Sequence, residues 1–135
     1  MIKIREIDHL VLRVRDLARM LDFYCGLLGC VVERRQDELG LTQLRAGRSM
    51  IDFVYVGDAP GKMGGSPPAA EGRNLDHLCL RVEPFDGEAI LAYLRAHGIE
   101  EAEISSRYGA EGEGPSIYIE DPEGNVVELK GPPWA

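Results

Sequence analysis

From residue 9 to residue 14 the chain alternates: in HLVLRV, Leu10, Leu12 and Val14 fall on one side of an extended strand, and His9, Val11 and Arg13 fall on the other. The period then changes. Leu17, Met20, Leu21, Tyr24, Leu27 and Leu28 recur at steps of three and four, with Asp16 placed to cap and Gly29 to stop, which predicts an amphipathic helix over 16–28. Strand patterns follow at 30–35 (CVVERR), 41–46 (LTQLRA) and 49–56 (SMIDFVYV), separated by the turn sequences DELG and AGR. Residues 57–74, with five glycines and three prolines, predict neither helix nor strand.

The order then repeats. LDHLCLRV at 75–82 matches IDHLVLRV at 7–14 at six of eight positions, with a constant offset of 68 residues. Ile90, Leu91 and Leu94, between a cap at Asp86 and a stop at Gly98, predict a second helix over 86–97. Strand patterns EAEIS (101–105), PSIYIE (115–120) and NVVELK (125–130) follow, the last two joined by the turn DPEGN. The fold class is therefore α+β. Two tandem βαβββ modules, 5–56 and 75–131, flank a linker at 57–74 in one domain covering 1–135. One helix covers only one face of each module's sheet, so the paired modules are expected to form a curved, incomplete barrel with helices outside and a concave cup for a ligand inside.

The composition, 44% hydrophobic and 28% charged over 135 residues, is that of a globular domain. A net charge of -8 argues against nucleic acid and anionic membranes as partners. No apolar run approaches the roughly 20 residues of a bilayer span, and MIKIREIDH lacks a signal-peptide core, so the expected location is cytoplasmic. Cys25, Cys30 and Cys79, odd in number and without a CxxC pair, read as reduced, small hydrophobic residues. Cys79 shares a strand face with His77.

Alternation also places candidate chemistry. His9 and His77 point away from the helices. Asp52 lies opposite the apolar face of Ile51, Phe53 and Tyr55, and Glu128 opposite that of Val127 and Leu129. Two imidazoles and two carboxylates, repeated at matching places, suit a divalent first-row ion: Ni²⁺, Zn²⁺, Co²⁺, Mn²⁺ or Fe²⁺. Asp8 and Asp76, neighbours of the histidines, should face the opposite way and serve the strand entries. His97, before a helix-ending glycine, reads as a C-terminal helix residue. Arg13, Arg81 and Lys130 fall on the cup face, where they either bind an anionic substrate or form ordinary salt bridges. Tyr118 either donates a hydrogen bond to substrate or forms wall. The glycine-rich RYGAEGEG, 107–114, is no phosphate loop and reads as a flap or a plain connection.

From IDHLVLRV through LDFYCGLLG to the closing DPEGNVVELKG, the chain resembles the vicinal oxygen chelate superfamily, which includes glyoxalase I, bleomycin-resistance proteins and extradiol dioxygenases. The resemblance implies metal ligands at His9, Asp52, His77 and Glu128 and a homodimer, with sites formed within a chain or across the subunit boundary. It is greatest to glyoxalase I (lactoylglutathione lyase), whose ligands are two histidines and two glutamates and whose first-strand arginine matches Arg13. Asp52 departs from that pattern, being one methylene shorter. The implied function is that of a metal-dependent lyase or isomerase. It would act on a small anionic substrate through a metal-bound enediolate, with Glu128 as the base. The alternatives are an extradiol-type Fe(II) dioxygenase and a non-catalytic drug binder of the bleomycin-resistance type.

Overall fold

The computed structural model describes residues 1–135, the side chain of Ala59 excepted. Two compact units divide at Gly72 and Arg73. In the first, strand β1 (His9–Val14) is followed by helix α1 (Leu17–Leu21), which continues as a π-helical turn (Asp22–Leu27). Strands β2 (Val31–Gln36), β3 (Leu41–Ala46) and β4 (Ser49–Tyr55) and a short helix α2 (Ala59–Lys62) complete it. The second unit carries β5 (His77–Arg81), α3 (Gly87–Ala96), β6 (Ile104–Gly109), β7 (Gly112–Glu120) and β8 (Val126–Lys130). Each unit is thus βαβββ. Their sheets have the same order, β1-β4-β3-β2 and β5-β8-β7-β6, with the first and last strands of each unit parallel and the other pairs antiparallel.

The amphipathic patterns build the cores. Leu12, Val14, Leu44, Ile51 and Phe53 are buried with Met20, Phe23 and Tyr24 in the first unit, and Tyr24 meets Phe23 and Phe53 edge to face. In the second, Leu78, Ile117, Ile119, Val127 and Leu129 are buried with Leu91 and Leu94. Asp16 and Asp86 cap the two helices, each side chain accepting from a backbone N–H three residues on.

Three expectations need correction. Residues 57–74 do contain a helix: Pro60 stands in the first turn of α2, where its missing N–H costs nothing, and Lys62 N–H closes the turn on the Asp58 carbonyl at 2.9 Å. Gly61 is there because a Cβ would strike the Tyr55 carbonyl. Secondly, the sixth strand lies at Ile104–Gly109, not at 101–105. RYGAEGEG is neither flap nor loop, because its Arg107, Tyr108 and Gly109 pair with Gly114, Glu113 and Gly112 across a tight hairpin. The glycines mark close approaches: a Cβ on Gly114 would meet the Pro132 carbonyl, and one on Gly109 the stem of Lys130. The third correction concerns the first helix, whose widened turn brings Phe23 into the core while Leu27 and Leu28 stay half-exposed.

Arg13 ties the glycine-rich segment down. Its guanidinium donates to the carbonyls of Gly61 (2.8 and 3.0 Å), Gly65 (2.6 Å) and Ser66 (3.0 Å). Arg13→Ala is therefore expected to expose residues 61–66 to limited proteolysis while leaving β1 and β4 paired, as measured by mapping the first cleavage sites.

Candidate functional site

The two units present equivalent pairs of donors. In the first sheet Val11 is the register partner of Asp52; in the second Cys79 is the partner of Glu128. Each carboxylate therefore stands beside the residue two places after a histidine, one in each copy. Beyond it on the next strand lies Gln43 in the first unit and Tyr118 in the second. The duplication seen in β1 and β5 thus extends to the strands that carry the carboxylates.

In the second unit the pair is closed. His77 Nε2 lies 3.2 Å from Glu128 Oε1, and Ser116 Oγ donates to Oε2 at 2.6 Å. Glu128 is buried, and burial pushes its carboxyl up. Hydrogen bonds from Ser116, Tyr118 and Cys79, with the charge of His77, outweigh that and hold it below 4.5. At neutral pH it is an anion ready to accept a proton. The Tyr118 ring stands edge-on to His77 at 5.7 Å between centroids, and burial with the Glu128 contact pushes its phenol up.

In the first unit the pair is open. Asp52 is 3% exposed; its Oδ2 accepts from Gln43 Nε2 at 3.1 Å, but among the described residues its Oδ1 is buried without a partner, as is Gln43 Oε1. Leaving a buried acceptor unsatisfied costs about 1–3 kcal/mol, and more when it is charged. Two orphaned oxygens lacking any donor are what a cation would satisfy.

Asp8 and Asp76 are placed differently from expectation. The Asp8 carboxylate meets His9 Nδ1 at 2.6 Å and that of Asp76 meets His77 Nδ1 at 2.7 Å. Strand alternation does not bind them, because both strands begin at the histidine and the aspartate lies just outside. Each carboxylate accepts from its ring's Nδ1–H and so directs the ring's basic electron pair to Nε2, the usual arrangement behind a ligating histidine; in His77 that Nε2 is engaged with Glu128 Oε1. The Asp8 hydrogen bond, assisted by the charge of Asp52, raises His9 above 6.5. The sequence pattern assigns these aspartates to the strand entries, although the DH dipeptide recurs in both copies, and it gives no role to Gln43 or Ser116.

The expected substrate cations are already engaged or partly so. Arg13 is spent on loop carbonyls, and Arg81 donates to Glu111 at 2.5 Å and to the Val82 carbonyl at 2.6 Å. Lys130 is buried and donates to the Arg107 carbonyl at 2.6 Å. Within neither unit do three or more His, Cys, Asp or Glu side chains converge among the described residues. Each unit offers two donors. The donor types and the orphaned oxygens of Asp52 and Gln43 fit a divalent ion.

Cys79 is exposed, yet burial of its thiol, with the nearby Glu128 charge, pushes it up to about 11. Its alkylation at pH 7.5 is expected to be about a hundredfold slower than that of an ordinary thiol, rising steadily with pH, as followed by mass spectrometry with iodoacetamide.

A profile of the Glyoxalase/Bleomycin resistance protein/Dioxygenase superfamily matches residues 6–129. A glyoxalase domain-containing protein of Mycosarcoma maydis is 30% identical over 131 residues, 95% of this chain and 69% of that protein. A virulence protein of Salmonella typhimurium is 30% identical over 132 residues, 93% of this chain and 83% of its own length. Among solved structures, an integron cassette protein from the mobile metagenome of V. cholerae superimposes with a TM-score of 0.73 at 26% identity, over 97% of this chain and 98% of that one.

Proposed function

The chain belongs to the Glyoxalase/Bleomycin resistance protein/Dioxygenase superfamily, and we propose that within it the protein is a metal-dependent lyase or isomerase of the glyoxalase type. The observation that carries this reading is the matched pair of Asp–His–carboxylate arrangements, Asp8–His9 with Asp52 and Asp76–His77 with Glu128. His9, Asp52, His77 and Glu128 would hold a divalent transition ion, the two pairs being contributed by one chain or by two chains of a homodimer. Bound there, the ion supplies Lewis acidity toward two neighbouring oxygens of a small substrate.

The rest is the work of the protein's own groups. Asp8 and Asp76 orient the imidazoles. Glu128, an anion at neutral pH, takes the proton from the carbon next to the substrate oxygens and returns it to the adjacent carbon. Ser116 holds the far oxygen of that carboxylate, so that Oε1, the one facing His77, receives the proton. Asp52, the shorter carboxylate, serves as anchor. Its unpartnered oxygen favours four donors over the three of a ring-cleaving iron dioxygenase.

The test is to load the protein with Ni²⁺ or Zn²⁺ and supply the hemithioacetal of methylglyoxal and glutathione. Formation of the hydroxyacyl thioester in proportion to bound metal supports the proposal. Failure to bind metal, or oxygen consumption with a catechol in place of thioester formation, overturns it. Metal affinity should fall with acidity, because a protonated imidazole cannot ligate, and His9, whose pKa the Asp8 hydrogen bond raises, gains its proton at higher pH than an ordinary imidazole. Glu128, held below 4.5, protonates only later, so the acid limb of activity follows metal loss.

A further inference from the structure

Charge in the second unit is unevenly compensated. Arg81 has Glu111 at 2.5 Å and Glu83 at 3.7 Å. Lys130 is different: it is 6% exposed, and among the described residues its ammonium forms no ion pair and makes one hydrogen bond, to the Arg107 carbonyl. A buried ammonium normally has a counter-charge, because desolvating an unpaired ion costs several kcal/mol. Its position is deliberate. The stem crosses Gly109 where any Cβ would collide with Lys130 Cε at 2.6 Å, so β6 has a glycine at the point the lysine passes.

A second cation stands beside it. The Arg107 guanidinium lies 5.5 Å from the centre of the Tyr118 ring, donates to the Ser106 carbonyl, and among the described residues also forms no ion pair. Register puts these groups together on one face: Arg107 pairs with Gly114, Ser116 with Lys130, and Tyr118 with Glu128, while Cys79 pairs with Glu128 from the other side. That is the face that carries His77 and Glu128. In a protein of net charge -8, two cations without acidic partners on this one face call for an anion from outside.

We propose that Lys130 and Arg107 form an anion subsite that takes the carboxylate of a small organic acid. A single negative charge matches the two N–H groups of Lys130 left over by the Arg107 carbonyl. A phosphate dianion would be repelled more strongly by the nearby Glu128 carboxylate. The Lys130 ammonium reaches β6, two strands away from Glu128 on β8, so about 10 Å separates the anchored carboxylate from Glu128. That span bears on catalysis only if Glu128 is the base, as proposed above; the subsite itself does not depend on it.

The experiment is a titration of the ¹⁵N-labelled protein, without added metal, with pyruvate, with neutral hydroxyacetone and with inorganic phosphate, following the amides of Arg107, Gly109, Ser116 and Lys130. Pyruvate is expected to give saturable shifts, with a dissociation constant of roughly millimolar order, as befits one anchored charge. Hydroxyacetone should give none, and Lys130→Met should weaken pyruvate at least tenfold. Arg107→Gln, at an exposed position where folding is not at stake, should weaken it severalfold. Equal binding of pyruvate by both variants and the unaltered protein, equal binding of hydroxyacetone, or no saturation by pyruvate would overturn the subsite. Tighter binding of phosphate than of pyruvate would overturn the carboxylate assignment. Because no metal is added, failure here is separable from failure of the metal-dependent reading.

Discussion

Alanine in place of His77 is expected to raise the dissociation constant for Ni²⁺ or Zn²⁺ by two to three orders of magnitude, and alanine in place of His9 should do the same. A four-donor site of nitrogen and sulfur ligands contributes about 10–16 kcal/mol, so an even share is about 2.5–4 kcal/mol per donor. Equality between the variants is the informative part. His9 and His77 lie in separate units with no local sequence in common beyond the repeat; equal losses mean that both serve one ion. Replacing the orienting carboxylates, Asp8→Asn or Asp76→Asn, should cost about 10–100-fold, since ring orientation and basicity suffer while the ligand stays. Competition against a chromophoric chelator measures all four. Loss in His77→Ala with full affinity in His9→Ala would mean that the first unit holds no ligand.

Glu128→Gln should leave the fold in place, weaken metal binding because a neutral amide replaces a charged ligand, and, at saturating metal, lower turnover by about 10²–10⁴-fold, the usual worth of a positioned general base. The amide keeps an oxygen toward His77 but has no lone pair basic enough to take a carbon-bound proton. Steady-state kinetics separates this from a binding defect, because turnover falls while the Michaelis constant changes little. A variant within tenfold of the unaltered enzyme would show that another group accepts the proton. Ser116→Ala should raise the carboxyl toward the value that burial alone would give it, since Ser116 is the foremost of the hydrogen bonds holding it down.

The two-module architecture was legible because each strand alternates cleanly and because IDHLVLRV returns as LDHLCLRV. That His9 shares a face with Asp52, and His77 with Glu128, follows from the same alternation and agrees with the strand register. What escaped was set by contacts remote in sequence or by conformations outside the standard periods. The π-helical turn at 22–27 departs from the 3.6-residue period, so that Phe23 and Tyr24 are buried while Leu27 and Leu28, which continue the regular pattern, are only half-buried. Gly61, Gly109 and Gly114 read as loop formers, whereas they make room for the Tyr55 carbonyl, the Lys130 stem and the Pro132 carbonyl. Asp8 and Asp76 were misread because alternation was carried one residue past the strand ends. The cation face showed Arg13, Arg81 and Lys130 as equals; their partners distinguish them.

One measurement bears on the central claim most directly: a crystal grown with Ni²⁺ or Zn²⁺, with the ion located by its anomalous scattering. The account predicts a single metal peak with Nε2 of His9, Nε2 of His77 and carboxylate oxygens of Asp52 and Glu128 all within about 2.3 Å, contributed by one chain or by a pair. A metal held by one unit's pair alone, or imidazoles that share no ion, would contradict it.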